Sequence, residues 1–366
     1  MSKKKVLILG GYGSFGQYIT DVLLAEPGME IIVAGRNAQR GADFAAAKKI
    51  DFRQCDARDP ISLQSAIEDV WLVINASGPF STSDYSIPRL CIEHGCHYID
   101  IADGREYVAS FSTLDSIARH HNVFACTGAS TTPAITSAMV NALGNGPWRS
   151  IKVALNAGNK NPAGVSTIAT ILSYVGKEVR VWQDGVWTRK WGWGDGEFVD
   201  FPPPVGRRRV HLCDTPDLEM FPKYFSVQNA TFKAGVELTL FNYAIAGLGM
   251  IRRLIPSLDL PALAWPLVAM STLFKPFGTL HGGCAVWTED MMGNRRSLAL
   301  VARENGPRIP GAPAILLARA LVHGKIDRIG AFDSTGLLDF TDIVELLAPY
   351  NIFAVRGQND TWEAVP

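Results

Sequence analysis

The chain has 366 residues, 47% apolar and 19% charged, a balance that gives enough apolar surface for large cores and excludes a disordered chain. Basic and acidic residues stand at 35 each, so no net charge draws the chain to nucleic acid, and none is expected as a partner. The six cysteines are scattered without a CxxC pair and read as reduced core residues of a cytoplasmic protein, with no metal expected.

The first apolar run, Val6–Leu9, stops at glycine and fits a buried strand better than a signal sequence. Further strands are expected at Glu30–Ala34, Asp51–Gln54, Trp71–Asn75, Tyr98–Ile101 and Val123–Cys126. Helical spacing lies between them: Phe15, Ile19, Val22 and Leu23 share one face, as do Val108, Phe111, Leu114 and Ile117. Continuous apolar strands alternating with amphipathic helices predict an α/β fold, a Rossmann doubly wound parallel sheet over residues 1–129.

Directly after the first strand, Gly11-Tyr12-Gly13-Ser14-Phe15-Gly16 fits GxGxxG and opens a helix. In that setting the glycines permit a tight turn, close approach of a pyrophosphate and close helix–strand packing. The second strand ends in "AGRN", with Gly35-Arg36-Asn37 where an NAD site would carry an acid. An arginine there pairs with a 2′-phosphate, so NADP(H) is favoured. Asp56, after the third strand, is a candidate acceptor for the adenine amino group. After the fourth, Asn75-Ala76-Ser77-Gly78-Pro79 offers small residues that let a cofactor approach the backbone.

The fifth strand runs into "YIDIADGREYV". Asp103 is a candidate acid or base there, and Arg105 a candidate clamp for a substrate carboxylate. Turn formation by Asp103 is the competing reading.

Beyond Thr132-Pro133 the texture becomes turn-rich, and a second α+β domain with a largely antiparallel open sheet is expected over residues 130–326. "EVRVWQDGVWTRKWGW" predicts a hairpin turning at Asp184-Gly185, with Trp182 opposite Trp187. Strand alternation would put Arg207, Arg209 and His211 on one face and Arg208 on the other. Lys160, Lys233 and His281 lie near glycines, without a spacing that assigns them a role. Two uncharged stretches, Leu238–Ile251 and Leu260–Phe274, are too short to span a bilayer. They read as buried helices, as the surface of a homodimer, or as a hairpin in peripheral contact with a membrane through residues 238–274. The tail, 327–366, is expected to pack back on the first domain.

The linked stretches "GGYGSFG", "AGRN", "VINASGPF" and "CIEHGCHYIDIADGREYV" resemble the saccharopine dehydrogenase-like oxidoreductases over about residues 5–135. The resemblance implies a Rossmann domain, a second domain on an open sheet, and NADP(H). By position it makes Gly11, Gly13, Gly16, Arg36, Asn75, Gly78 and Pro79 cofactor-loop residues. The expected activity is reversible hydride transfer to a C=N or C=O group of a small-molecule substrate. A non-catalytic dinucleotide-binding sensor or scaffold at a membrane surface is the alternative.

Overall fold

The computed structural model describes residues 3–80, 83–161, 164–359 and 361–363. These form two compact units, residues 1–134 with 307–338, and residues 135–306 with 339–366.

In the first unit the strands are β1 (Lys4–Leu9), β2 (Met29–Gly35), β3 (Asp51–Gln54), β4 (Leu72–Asn75), β5 (His97–Asp100) and β6 (Phe124–Thr127). The chain continues into the second unit through β7 (Trp148–Ala157), β8 (Glu178–Gln183), β9 (Val186–Trp191) and β10 (Glu197–Asp200). There follow β11 (Arg207–Leu212), β12 (Val227–Val236), β13 (Gly282–Asp290) and β14 (Arg295–Ala302). It then adds β15 (Gly330–Asp333) to the first sheet and β16 (Ile352–Gln358) and β17 (Thr361–Trp362) to the second.

The first sheet has the order β15-β6-β5-β4-β1-β2-β3, with all neighbours parallel. Val6–Ile8, Ile32–Ala34 and Leu72–Ile74 are fully buried, as expected of strands covered on both faces. Strand order reverses between β1 and β4, the switch point where such sheets take ligands. The six strands read from the sequence fall here; β15, which the sequence reading did not include, comes from the tail and pairs with β6.

The second sheet runs β10-β11-β12-β7-β13-β14-β16-β17 and is antiparallel except between β7 and β12. The β8–β9 hairpin hangs from β12. Its turn residues, Asp184 and Gly185, have φ of 52° and 74°, the pair of positive angles a type I′ turn requires. Trp182 does face Trp187, ring centroids 5.1 Å apart.

The tail departs from expectation. Only β15 joins the first unit; the helix Phe340–Leu347 packs on β16 and on the helix Thr136–Leu143 of the second. The physical reason is edge pairing: β16 forms seven residue pairs along β14 and takes the preceding helix with it. The apolar stretches also depart from one expectation. Their helices, Thr239–Leu254 and Ala264–Leu273, leave most of their large apolar side chains in solvent.

Candidate functional site

The glycine turn is built from backbone contacts that exclude side chains. Gly10, at the end of β1, has φ +74°, a region that glycine enters without strain. Its carbonyl oxygen accepts from Gly13 N at 2.8 Å. A Cβ on Gly11 would stand 2.6 Å from Val33, and one on Gly16 would overlap the Gly10 carbonyl. Buried Thr20 donates its hydroxyl to the Gly11 carbonyl at 3.0 Å, which ties the helix Gly16–Leu23 to the turn. The N-cap of that helix, Phe15, supplies no side-chain cap. Ser14 and Phe15 therefore lead into a helix N-terminus whose amides and dipole favour a phosphate.

Beside the turn lies a cavity of about 850 Å³, at the switch point between β1 and β4. Tyr12, Gly13, Arg36, Asn37, Asp56, Gly78 and Pro79, all singled out in the sequence, line it. Gly11, Ser14, Phe15, Gly16, Asn75 and Ala76 do not. The glycines shape the turn. Asn75, buried, accepts from Ser77 N at 3.0 Å and Ser77 Oγ at 2.6 Å and donates to Tyr98 Oη at 3.0 Å, while Ala76 N donates to the Leu9 carbonyl. Both residues thus hold the Ser77–Pro79 loop in place.

Two further cations line the cavity that sequence reasoning passed over, Arg40 and Arg58. Arg40 stands one helical turn beyond Arg36, its amide capped by the Asn37 side chain at 2.9 Å, and Nη2 donates to the Tyr12 carbonyl at 3.1 Å. Tyr12 Oη in turn accepts from Asn37 N at 3.0 Å, and its ring lies over Gly35, where any Cβ would collide with it. Asp56 Oδ1 accepts from Arg58 N at 3.1 Å. The end of β2 therefore meets a rim of three arginines, a field suited to a phosphomonoester.

At the end of β5 the best-held acid is Asp100. It is fully buried; its Oδ1 accepts from Thr127 Oγ1 at 2.8 Å and from the amides of Ala102 and Gly128 at 3.0 Å, and burial pushes its carboxyl up to about 6. Asp100 straps β5 to β6. Asp103 is half-buried, and burial raises its carboxyl above the usual range. Arg105 is buried at the start of the short helix Arg105–Ala109. Neither reaches the lining of the cavity.

In the second unit the alternation along β11 follows the sequence pattern. Arg207 and Arg209 both stand over Phe198, and Arg208 points away to pair with Glu237 at 3.2 Å. His211 stacks on Trp193 with rings 3° from parallel, and burial lowers it to about 4, so it stays neutral. Lys233 is buried between Glu197, at 2.8 Å, and Asp195, at 3.1 Å. His281 Nδ1 lies 2.9 Å from the Arg303 carbonyl oxygen, and Lys160 is exposed.

Residues 6–115 match the family described as saccharopine dehydrogenase NADP binding domain. Over that stretch the first domain is similar to that family's cofactor domain. Over 118 residues, 28% of this chain, it is 27% identical to a probable mitochondrial saccharopine dehydrogenase-like oxidoreductase of Arabidopsis thaliana. The match spans 26% of that relative's length. A saccharopine dehydrogenase (L-Glu forming) of Saccharomyces cerevisiae, solved in its apo form, has a similar fold across 97% of this chain and 99% of that one. The TM-score is 0.67 at 13% identity, a likeness of fold alone. The saccharopine dehydrogenase-type domain is an NADP-binding domain. Its glycine turn and arginine rim fit that cofactor: the cradle is closed to side chains, and the end of β2 is cationic.

Proposed function

We propose that this protein is an NADP(H)-dependent oxidoreductase that transfers hydride reversibly to a C=N or C=O group of a small molecule. The observation that carries the reading is the meeting of the glycine turn and three arginines at one cavity. Backbone around Gly11, Gly13 and Gly16 would hold the pyrophosphate. Arg36, Arg40 and Arg58 would take the 2′-phosphate, and Asp56 would accept from the adenine amino group. The Ser77–Pro79 loop, fixed by Asn75, lines the same cavity. When bound, NADPH supplies the hydride; the protein orients it and excludes water. Asp103 is assigned the proton transfer and Arg105 the clamp on a substrate carboxylate, on the ground that both follow β5 at the carboxyl edge of the sheet.

The test is titration of the purified chain with NADPH and NADH, followed by NADPH oxidation across a panel of imines and carbonyl compounds. Preferential NADPH binding with steady turnover is expected. Tight NADPH binding with no turnover on any member of the panel overturns the enzymatic reading and leaves a dinucleotide sensor.

A further inference from the structure

The helix Thr239–Leu254 is inside out. Its buried residues are Asn242, Gly249 and Arg252. Leu240, Tyr243, Met250 and Leu254 are exposed, the last at 84%. Steps of three, seven and four place these four on one stripe.

The polar side is committed to the protein. Asn242 accepts from Val236 N at 3.1 Å and donates to the Val236 carbonyl at 2.8 Å. Arg252 Nη1 donates to the carbonyls of Leu172, Ser173 and Val175 at 2.9, 3.2 and 3.2 Å, capping the end of the helix Val165–Tyr174. Rotating the helix to hide its apolar stripe would strand these groups, so the stripe faces outward by construction.

The helix Ala264–Leu273 continues the surface. It contains no charged residue and buries only Ala264; Trp265 and Leu273 are 71% and 75% exposed. Phe241 and Phe274 meet edge to face at 5.1 Å and join the two helices. A helix without a polar side belongs in a core or against lipid, and contiguous exposed apolar surface marks a site of interaction.

We propose that this two-helix face docks on a phospholipid bilayer, lying in the plane of the interface. Three observations favour lipid over a second copy of the chain. Tyr243, Trp265 and Phe277 are exposed among the aliphatic residues, as aromatic side chains are at the headgroup level. Within residues 239–277 the exposed cations Arg253 and Lys275 stand against a single exposed acid, Asp259, complementing anionic headgroups. The helices have 16 and 10 residues, and no described helix is long and apolar enough to cross a membrane, so the face can lie on a bilayer but not span it.

The full chain is tested by co-sedimentation with vesicles of phosphatidylcholine, with and without phosphatidylglycerol. Binding to both is expected, stronger with phosphatidylglycerol and weakened about fivefold by high salt. Leu254→Glu and Leu273→Glu, both at exposed positions, should each weaken binding about tenfold or more with NADPH affinity unchanged. Quenching by brominated acyl chains should fall in Trp265→Phe. A chain that stays in the supernatant with both vesicle types overturns the proposal. So does a dimer, seen by light scattering, that Leu273→Glu dissociates while vesicle binding is unaffected.

Discussion

Gly16 packs directly beneath Gly10: a Cβ on Gly16 would overlap the Gly10 carbonyl oxygen and stand 2.8 Å from its carbonyl carbon. Because the obstacle is backbone, no rotamer change relieves it. Gly16→Ala should cost about 3 kcal/mol of stability in urea unfolding and abolish NADPH binding. At Gly13 the nearest obstacle to a Cβ is 3.0 Å away, so Gly13→Ala should cost about 1 kcal/mol. Equal stabilities for the two variants would contradict the packing argument.

The arginine rim makes a prediction about cofactor choice. Arg36→Glu places an acid where a 2′-phosphate would sit, and Arg40→Ala removes one cation of the rim. Each should raise the NADPH dissociation constant about 30-fold and leave that of NADH within about threefold, the difference being charge-assisted hydrogen bonds. Calorimetric titration with the two cofactors separates the outcomes; parallel losses would rule out a selector role.

Asn75 is expected to act through the loop that it holds. Replacing it by alanine removes one bond to Tyr98 and two to Ser77. A loss of about 2 kcal/mol in stability is expected, together with weaker NADPH binding. Ser77→Ala keeps the amide bond and should give a smaller change in both. Unaltered cofactor affinity in Asn75→Ala would show that the loop needs no such anchor.

Asp217 gives the protein a pH dependence of unusual sign. It is buried, its Oδ1 accepting from Thr136 Oγ1 at 3.0 Å, and burial pushes its carboxyl up to about 8. An unfolded aspartate titrates near 3.9, so the native chain holds an extra proton between the two values. The contribution of this group is fully present below about pH 4, declines as pH rises and is lost by about pH 8. Asp217→Asn should flatten that decline, raising stability at about pH 9 by on the order of 2 kcal/mol relative to the parent. Unfolding curves for the two proteins at acidic and alkaline pH provide the check; parallel pH profiles would refute it.

Much of the cofactor domain was legible in the residues because its signals are local. Buried parallel strands are continuous apolar runs, and a glycine turn needs glycine at the positions that backbone crowding dictates, as Gly11 and Gly16 show. Arg36 was readable as the residue ending β2. Arg40 and Arg58 were not, since one lies on a helix and the other after β3, and only folding brings them to one rim. Asp103 and Arg105 drew notice by composition, yet the acid that straps the sheet is Asp100.

The sequence by itself determined the strands of the first sheet, the turn at its switch point and the Trp182–Trp187 hairpin, because each depends on neighbours in the chain and on permitted backbone angles. Tertiary structure alone decided which way the apolar helix faces and where the tail goes. Apolar spacing defines a stripe but not its direction; that was set by Asn242, tied to nearby Val236 at the end of β12, and by Arg252, whose hydrogen bonds reach Leu172, far away in the chain. The fate of the tail was likewise settled by the free edge of β14, onto which β16 pairs.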